Sequence, residues 1–248
     1  MVQRTLRIVQ TIEREGPGLL APLALRRGWQ VRTCRLWLAE PLPPLRPGDA
    51  VLLLGGPASA NDGPANANSR IPELLDFSRG LLARQLPVLG ICLGLQLLVK
   101  AGGGSVVPAA LRELGWFDPL GQPWWLDVTA QGRHHPLLAG LPDPFALFQL
   151  HGEAVRPTST MAVLAEGRWC RPQIVQVGPQ AFGIQGHVEL NGPSHLRWFR
   201  EDPDLWALAD RQLRPGAAAL ARLQPLGERL LDNWLDLAET YVFSPALR

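Results

Sequence analysis

The sequence predicts an α/β fold in which helices flank a mostly parallel, open sheet, with a C-terminal helical extension. Three observations support this fold class. The chain has 248 residues, 46% of them hydrophobic, which is enough to bury one substantial core. Short β-type runs alternate with helical patterns through the first two-thirds, as a parallel sheet covered by helices requires. The last part of the chain carries only helical patterns.

The first hundred residues contain four predicted strands and three predicted helices. Apolar, β-type runs predict strands over residues 6–9, 31–36, 50–54 and 87–92. Apolar residues at helical spacing predict helices over 19–27 and 71–85, and a buried helix is predicted over 93–101. Gly28 is a suitable stop for the first of these helices.

The rest of the chain changes from a β-rich to a helical pattern. Further strands are predicted over residues 115–120, 124–129, 145–150, 161–165, 174–177 and 180–185, and we expect them to extend the sheet. Helices are predicted over 203–212 and 217–241, the second with an apolar stripe that suits packing on the main domain. The predicted organisation is therefore one domain at 1–192 and a helical extension at 193–248 packed on it.

Charge and cysteine content exclude several classes of function. The formal net charge is +2, so there is no large field to attract nucleic acid or an anionic membrane. Cys34, Cys92 and Cys170 are too few and too scattered for a disulfide framework or a four-cysteine zinc site. No apolar run approaches the ~18 residues that cross a bilayer. We expect a protein of a reduced, cytoplasmic compartment without a metal.

The segment Gly90-Ile91-Cys92-Leu93-Gly94 lies where a buried strand ends and an apolar helix begins. This pattern is typical of a nucleophile elbow, here with cysteine in the serine position. A tight strand-to-helix turn pushes the nucleophile into a strained, exposed position, and the flanking glycines avoid clashes there. The N-terminus of the following helix favours the thiolate. A buried structural cysteine is the alternative.

A base and an oxyanion hole have candidates at other predicted strand ends. His187 and Glu189 are separated by one residue, so an extended backbone puts both on one side, where the carboxylate can fix the imidazole tautomer. Gly55 and Gly56 end an apolar strand, and glycines there let backbone N–H groups approach a ligand. The alternatives are a chance pair on a solvated loop and an ordinary tight turn.

Five segments follow one another along the chain in a recognisable order. They are Leu54-Gly55-Gly56-Pro57, residues 87–98 around Cys92, Glu113-Leu114-Gly115-Trp116, residues 148–153 ending in His151-Gly152-Glu153, and residues 182–189 ending in His187-Val188-Glu189. Together they resemble the class I glutamine amidotransferases, and most of all the stand-alone relatives of the GMP synthase amidotransferase domain. The resemblance runs from about residue 6 to residue 189 and implies a flavodoxin-like architecture.

The resemblance also implies roles for individual residues. Cys92 would be the nucleophile, His187 the base and Glu189 its orienter, and the N–H groups of Gly56 and Leu93 would form the oxyanion hole. Gln96 and the segment His151-Gly152-Glu153, with the Gly55 turn, would hold the amino-acid end of glutamine or another γ-glutamyl compound. Where the family usually has phenylalanine and proline around the histidine, this chain has Gly186 and Val188. His134, His135 and His195 match no motif and are predicted to be surface residues.

Three functions remain open at this point. The first is a glutaminase that passes ammonia to a separate synthetase subunit, because the sequence has no P-loop of its own. The second is a self-sufficient γ-glutamyl hydrolase or peptidase, and the third is a binding or regulatory relative with little turnover. Neither enzymatic reading requires a metal or an organic cofactor.

Overall fold

The computed structural model describes residues 4–63 and 69–242, which contain eleven strands and six α-helices. The strands are β1 (Thr5–Gln10), β2 (Gln30–Arg35), β3 (Asp49–Leu53), β4 (Val88–Ile91), β5 (Ser105–Gly115), β6 (Trp125–Val128), β7 (Phe145–Ala146), β8 (Gln149–Arg156), β9 (Ala162–Gly167), β10 (Pro172–Gly178) and β11 (Ala181–Ile184). The helices are α1 (Leu20–Arg26), α2 (Ile71–Ala83), α3 (Leu93–Ala101), α4 (Gly192–Glu201), α5 (Pro203–Trp206) and α6 (Ala209–Val242).

The main sheet has nine strands in the order β2-β1-β3-β4-β11-β10-β9-β6-β7. The first five of these strands are parallel to their neighbours, and β10, β9, β6 and β7 continue the sheet as antiparallel strands. The central strands β3, β4 and β11 are largely apolar and fully buried because helices cover both faces of the sheet. The predicted α/β fold with a mostly parallel open sheet and flanking helices is confirmed.

Two strands do not join this sheet, and here the sequence prediction was wrong. β5 and β8 pair with each other as a separate antiparallel ribbon. The predicted strand at 115–120 is absent because Gly115, with a φ of +78°, ends a strand rather than beginning one. The predicted strand at 145–150 is divided between β7 and β8. Pro108 interrupts the β-type pattern of β5 and disguises the strand as a loop in the sequence.

Two apolar layers lie on the faces of the main sheet. One packs the sheet against α1 and α6, and the other packs it against α2 and α3. A third cluster, which includes Trp116, Phe148 and Trp198, joins the C-terminal helices to the β5–β8 ribbon. No helix of the described residues is both long enough and apolar enough to span a membrane.

The C-terminal helices differ in their bounds from the two that were predicted. α4 was not predicted, and the helix predicted over 203–212 is divided between the short α5 and the start of α6. α6 runs on through Pro215 and Pro225, although each proline removes one backbone donor. Buried residues such as Leu220, Leu230 and Trp234 recur along it, so tertiary packing offsets that cost.

Candidate active site

Cys92 lies at the junction of β4 and α3 in a strained backbone conformation, with φ 52° and ψ −107°. A non-glycine residue at positive φ persists only where its surroundings hold it there, and such strain is common at active sites. The surroundings are tight, because a Cβ on Gly94 would collide with the carbonyl of Leu53 and one on Gly90 with the backbone of Gly94. The structure therefore contains the elbow that the sequence predicts. Cys92 is 6% exposed, however, and the expectation of an exposed residue was wrong.

His187 and Glu189 follow β11, the strand beside β4 in the sheet. Ile184 of β11 is in register with Ile91 of β4, so the two strands end side by side and bring the histidine towards the cysteine. His187 Nδ1 lies 2.8 Å from Glu189 Oε1, and both side chains are 1% exposed. The carboxylate thus fixes the ring through Nδ1 and leaves Nε2 for chemistry.

The charge on the imidazole of His187 depends on its two neighbours. Burial by itself would lower the pKa of His187, but the Glu189 carboxylate and the Cys92 side chain raise it well above its usual value. Nε2 is buried and has no hydrogen bond of good geometry among the described residues. A histidine that a carboxylate orients beside a thiol is the arrangement that nucleophilic catalysis by cysteine uses.

The backbone around His187 is firmly placed. His187 N–H donates to the carbonyl of Phe148 at 2.7 Å, and a Cβ on Gly186 would stand 2.9 Å from Leu147 Cβ. The ring of Trp198 meets the imidazole edge to face, with centroids 4.7 Å apart and an interplanar angle of 87°. Gly186 therefore lies in a closely packed segment, and His187 is held firmly beside it.

The turn after β3 supplies the candidate oxyanion hole. The hydroxyl of Thr11 donates to the carbonyl of Gly55. Because the carbonyl and N–H of one trans peptide point in opposite directions, this bond orients the Gly56 N–H away from Thr11. Gly56 lines the same cavity as Cys92, and Leu93 is the first residue of α3. Gly56 thus shares a cavity with Cys92, and Leu93 follows Cys92 directly in the chain.

A cavity of about 350 Å³ opens on Cys92 and collects most of the other predicted site residues. Its wall includes Gly56, Gln96 and the segment 151–153. Gln96 lies on the first turn of α3, is 4% exposed and has no hydrogen bond to another described side chain. Its amide is therefore available to a ligand in the cavity.

His151 lines the cavity, but its ring is held by protein groups on both sides. Nε2 lies 2.9 Å from Glu113 Oε2, and Nδ1 lies 3.0 Å from the carbonyl oxygen of Glu153. Glu113 also accepts hydrogen bonds from Cys170 N–H and Gln173 Nε2. The ligand-type atoms of Glu113, His151 and Cys170 lie within 4.8 Å of one another, yet hydrogen bonds occupy both carboxylate oxygens and both ring nitrogens.

The thiol of Cys170 is the remaining member of this group. Burial, with a smaller contribution from Glu113, raises the pKa of Cys170 to about 12, so the thiol keeps its proton. The side chain of Glu153 is held in turn by Ser59, whose hydroxyl donates to it at 2.7 Å. The group formed by Glu113, His151, Cys170 and Gln173 therefore fixes the cavity wall at 151–153.

The structure adds residues that the sequence analysis missed. Arg14, Glu15 and Asp202 line the cavity, and Trp198 packs on His187. Arg14 and Glu15 follow β1, and the rule that ligands bind beyond the carboxyl ends of parallel strands could have indicated them. No comparable signal exists for Asp202 and Trp198, which come from the C-terminal helices.

Two of the histidines assigned to the surface are not exposed. His195 is 2% exposed and lies between Trp116 and Phe199, because the C-terminal helices cover it. His135 is half-buried against Phe182, whereas His134 is exposed as predicted.

Comparison with known proteins assigns the family. Residues 30–199 match the family of class I glutamine amidotransferases. The chain belongs to that family. It is 31% identical over 180 residues to the glutamine amidotransferase-like protein YfeJ of Salmonella typhimurium, a match that covers 71% of this chain and 72% of YfeJ. The predicted family membership is confirmed.

Two further comparisons concern a hydrolase and a solved structure. The γ-glutamyl-L-1-hydroxyisopropylamide hydrolase of a Pseudomonas species is 28% identical over 180 residues, which cover 69% of this chain and 59% of that hydrolase. The crystal structure of a glutamine amidotransferase from Thermotoga maritima superposes with a TM-score of 0.83 at 22% identity, over 98% of this chain and 100% of that one. This second likeness concerns the fold alone.

Proposed function

We propose that this amidotransferase homologue hydrolyses a γ-glutamyl amide through a thioester on Cys92, with His187 and Glu189 completing a catalytic triad. One observation carries the proposal: a cysteine held at positive φ at the start of a helix lines a cavity next to a buried His–Glu pair. Geometry of this kind, a nucleophile near a base that a third group orients, is what nucleophilic catalysis requires.

In the proposed reaction the sulfur of Cys92 attacks the γ-carbonyl carbon of the substrate. The N–H groups of Gly56 and Leu93 stabilise the negative oxygen of the tetrahedral intermediate. The C–N bond then breaks as His187 Nε2 gives a proton to the leaving nitrogen. Water, deprotonated by the same imidazole, attacks the thioester, and glutamate and the free thiol result.

The amino-acid end of the substrate is assigned to the wall formed by Gln96 and residues 151–153. Gln96 offers an amide that no described side chain engages, and the hydrogen bonds of His151 and Glu153 hold the opposite wall in place. Rigid polar groups of this kind position a substrate without reorganisation. His151 thus supports the pocket as a positioning residue, with its ring nitrogens already engaged.

Two leaving groups are compatible with this site. Ammonia would make the protein a glutaminase, and we propose that a separate cytoplasmic synthetase then consumes it. The second candidate is a γ-glutamyl alkylamide. A further cavity of about 620 Å³ adjoins the first through Arg112 and Leu114 and has Phe117, Trp124 and Leu208 in its wall, which suits an apolar amine. The similarity to the Pseudomonas hydrolase also favours this second candidate.

Release of glutamate distinguishes these functions. The purified protein is incubated with glutamine and with a set of γ-glutamyl alkylamides, and Cys92→Ala serves as the inactive control. Rapid release from glutamine supports the glutaminase, and release only from substituted amides supports the hydrolase. No release from any substrate by a folded wild-type protein would contradict the proposal and favour a regulatory relative.

A further inference from the structure

A fourth ionisable side chain, Glu15, shares the space between the nucleophile and the base. The position of a Cβ on Gly55 marks this space, because it lies 2.5 Å from Glu15 Oε2, 3.1 Å from His187 Cε1 and 3.4 Å from Cys92 Cβ. Glu15 lines the same cavity as Cys92, and its side chain is 4% exposed. The triad leaves this carboxylate without a role, since Glu189 already orients His187.

The carboxylate of Glu15 is only weakly paired by the protein. Besides His187, the cation beside it is Arg14, whose Nη2 lies 3.5 Å from Glu15 Oε1 but 2.6 Å from Asp202 Oδ2. No described residue donates a good hydrogen bond to Glu15, and buried carboxylates are rarely left without one. Burial raises the pKa of Glu15, Glu189 and Asp202 add to this effect, and His187 and Arg14 oppose it. A cation in the cavity would stabilise this carboxylate.

The proposed reaction produces such a cation at this place. The leaving nitrogen takes its proton from His187 Nε2, which adjoins Cε1 in the ring, so it departs beside Glu15. The nitrogen leaves as a neutral amine. Amines with a basicity near that of lysine, whose pKa is about 10.4, then take up a second proton from water at neutral pH.

We propose that Glu15 forms the subsite for the departing nitrogen, where its carboxylate binds ammonia or a primary amine as the ammonium ion. This inference rests on the proposed function and names the amine-side residue of that site. An anion at this point favours the positive charge that the nitrogen carries once His187 has protonated it and before the C–N bond breaks. The Glu15 carboxylate gives no such stabilisation to an alcohol leaving group, which is not basic enough to become a cation.

The test compares amide and ester substrates of the same γ-glutamyl group. Glutamine and a γ-glutamyl alkylamide release a basic nitrogen, whereas the γ-methyl ester of glutamate releases methanol. Glu15→Gln should lower kcat/KM for both amides by about 10- to 100-fold, the loss expected for one charge-assisted hydrogen bond. For the ester it should change kcat/KM by less than about threefold. Glu13→Gln, in the same loop but exposed and paired with Arg197, should match wild type on every substrate.

The main arm of a second measurement uses the wild-type protein alone. Ammonium chloride should inhibit methanol release from the ester by the wild-type protein more strongly than sodium chloride at the same concentration, and Glu15→Gln should remove the difference. Equal losses on amides and ester, or no difference between the two salts, would overturn the subsite while the triad stands. A wild-type protein inactive on amides and ester alike would overturn the proposed function, and the subsite with it.

Discussion

Trp198 of α4 stands edge to face against the imidazole of His187, with 4.7 Å between the ring centroids. Its indole Nε1 also donates to the carbonyl of Arg14 at 2.8 Å, and the side chain is fully buried. One residue of the C-terminal helices therefore touches His187 and holds the loop that carries Glu15. The helices after β11 take part in building the site.

Trp198→Phe should affect both stability and turnover. The change removes one hydrogen bond and leaves a small cavity, which should cost about 1–3 kcal/mol of unfolding free energy. We expect kcat for γ-glutamyl hydrolysis to fall by about 3- to 30-fold, because small displacements of a base lower rates strongly. Trp206→Phe, at a residue that is 64% exposed, is the control. A wild-type kcat in a destabilised Trp198→Phe protein would show that Trp198 only fills the core.

Cys92 should react with iodoacetamide before the other two cysteines. All three are free and buried, but only Cys92 lines the active-site cavity. Burial raises the pKa of Cys34, and burial followed by Glu113 raises that of Cys170 to about 12, so these thiols stay protonated. Mass spectrometry of peptides after limited alkylation measures the order. First labelling of Cys34 or Cys170 would argue against an activated thiol at the elbow.

Glu189→Gln should shift the alkaline limb of the kcat/KM profile to lower pH. Burial lowers the pKa of His187, and the Glu189 carboxylate is the main group that opposes this and raises it. A neutral amide still accepts from Nδ1 but no longer stabilises the imidazolium, so the proton is lost at a lower pH. At pH 8 we expect kcat/KM to fall between about tenfold and a thousandfold. The profile is measured by glutamate release from pH 5 to 10. A limb at the wild-type pH would mean that another carboxylate orients the ring.

Gln96→Ala should weaken recognition while leaving the thiol reactive. Loss of one or two polar contacts worth ~1.5–3 kcal/mol should lower kcat/KM for γ-glutamyl substrates by about 10- to 200-fold. Alkylation of Cys92 by iodoacetamide, which needs no pocket, should proceed at a near-normal rate. Gln224→Ala, at a residue of α6 that does not line the cavity and that donates to Glu228, is the matched control. Unchanged kcat/KM on every substrate would show that Gln96 does not recognise the γ-glutamyl group. The site would then support only a generic cysteine hydrolase.

The parallel part of the fold and the elbow could be predicted because their signals are local. β3 and β4 are continuous apolar runs, and glycines flank Cys92 where the strand meets the helix. The β5–β8 ribbon could not be predicted in the same way. Its pairing joins residues far apart in sequence, and Pro108 interrupts the β-type pattern of β5.

The site shows the same division between local and long-range information. Cys92, His187 and Glu189 belong to short motifs, whereas Glu15 and Trp198 acquire their roles only through packing. Glu15 meets Gly55 because β1 and β3 are neighbours in the sheet, and Trp198 meets His187 because α4 packs this indole edge to face on the imidazole. The position of Glu15 after β1 indicates only the edge of the sheet at which the site lies, and no pattern near Trp198 indicates its partner.

The central claim is that a γ-glutamyl group is carried on Cys92, and acid quenching during turnover tests it most directly. Wild-type protein mixed with glutamine or a γ-glutamyl alkylamide is quenched within the first turnovers, and mass spectrometry locates any γ-glutamyl adduct. We predict an adduct on the peptide that contains Cys92, and neither adduct nor glutamate release in a folded Cys92→Ser protein. Glutamate release by Cys92→Ser at the wild-type rate, or an adduct on Cys34 or Cys170, would contradict the account.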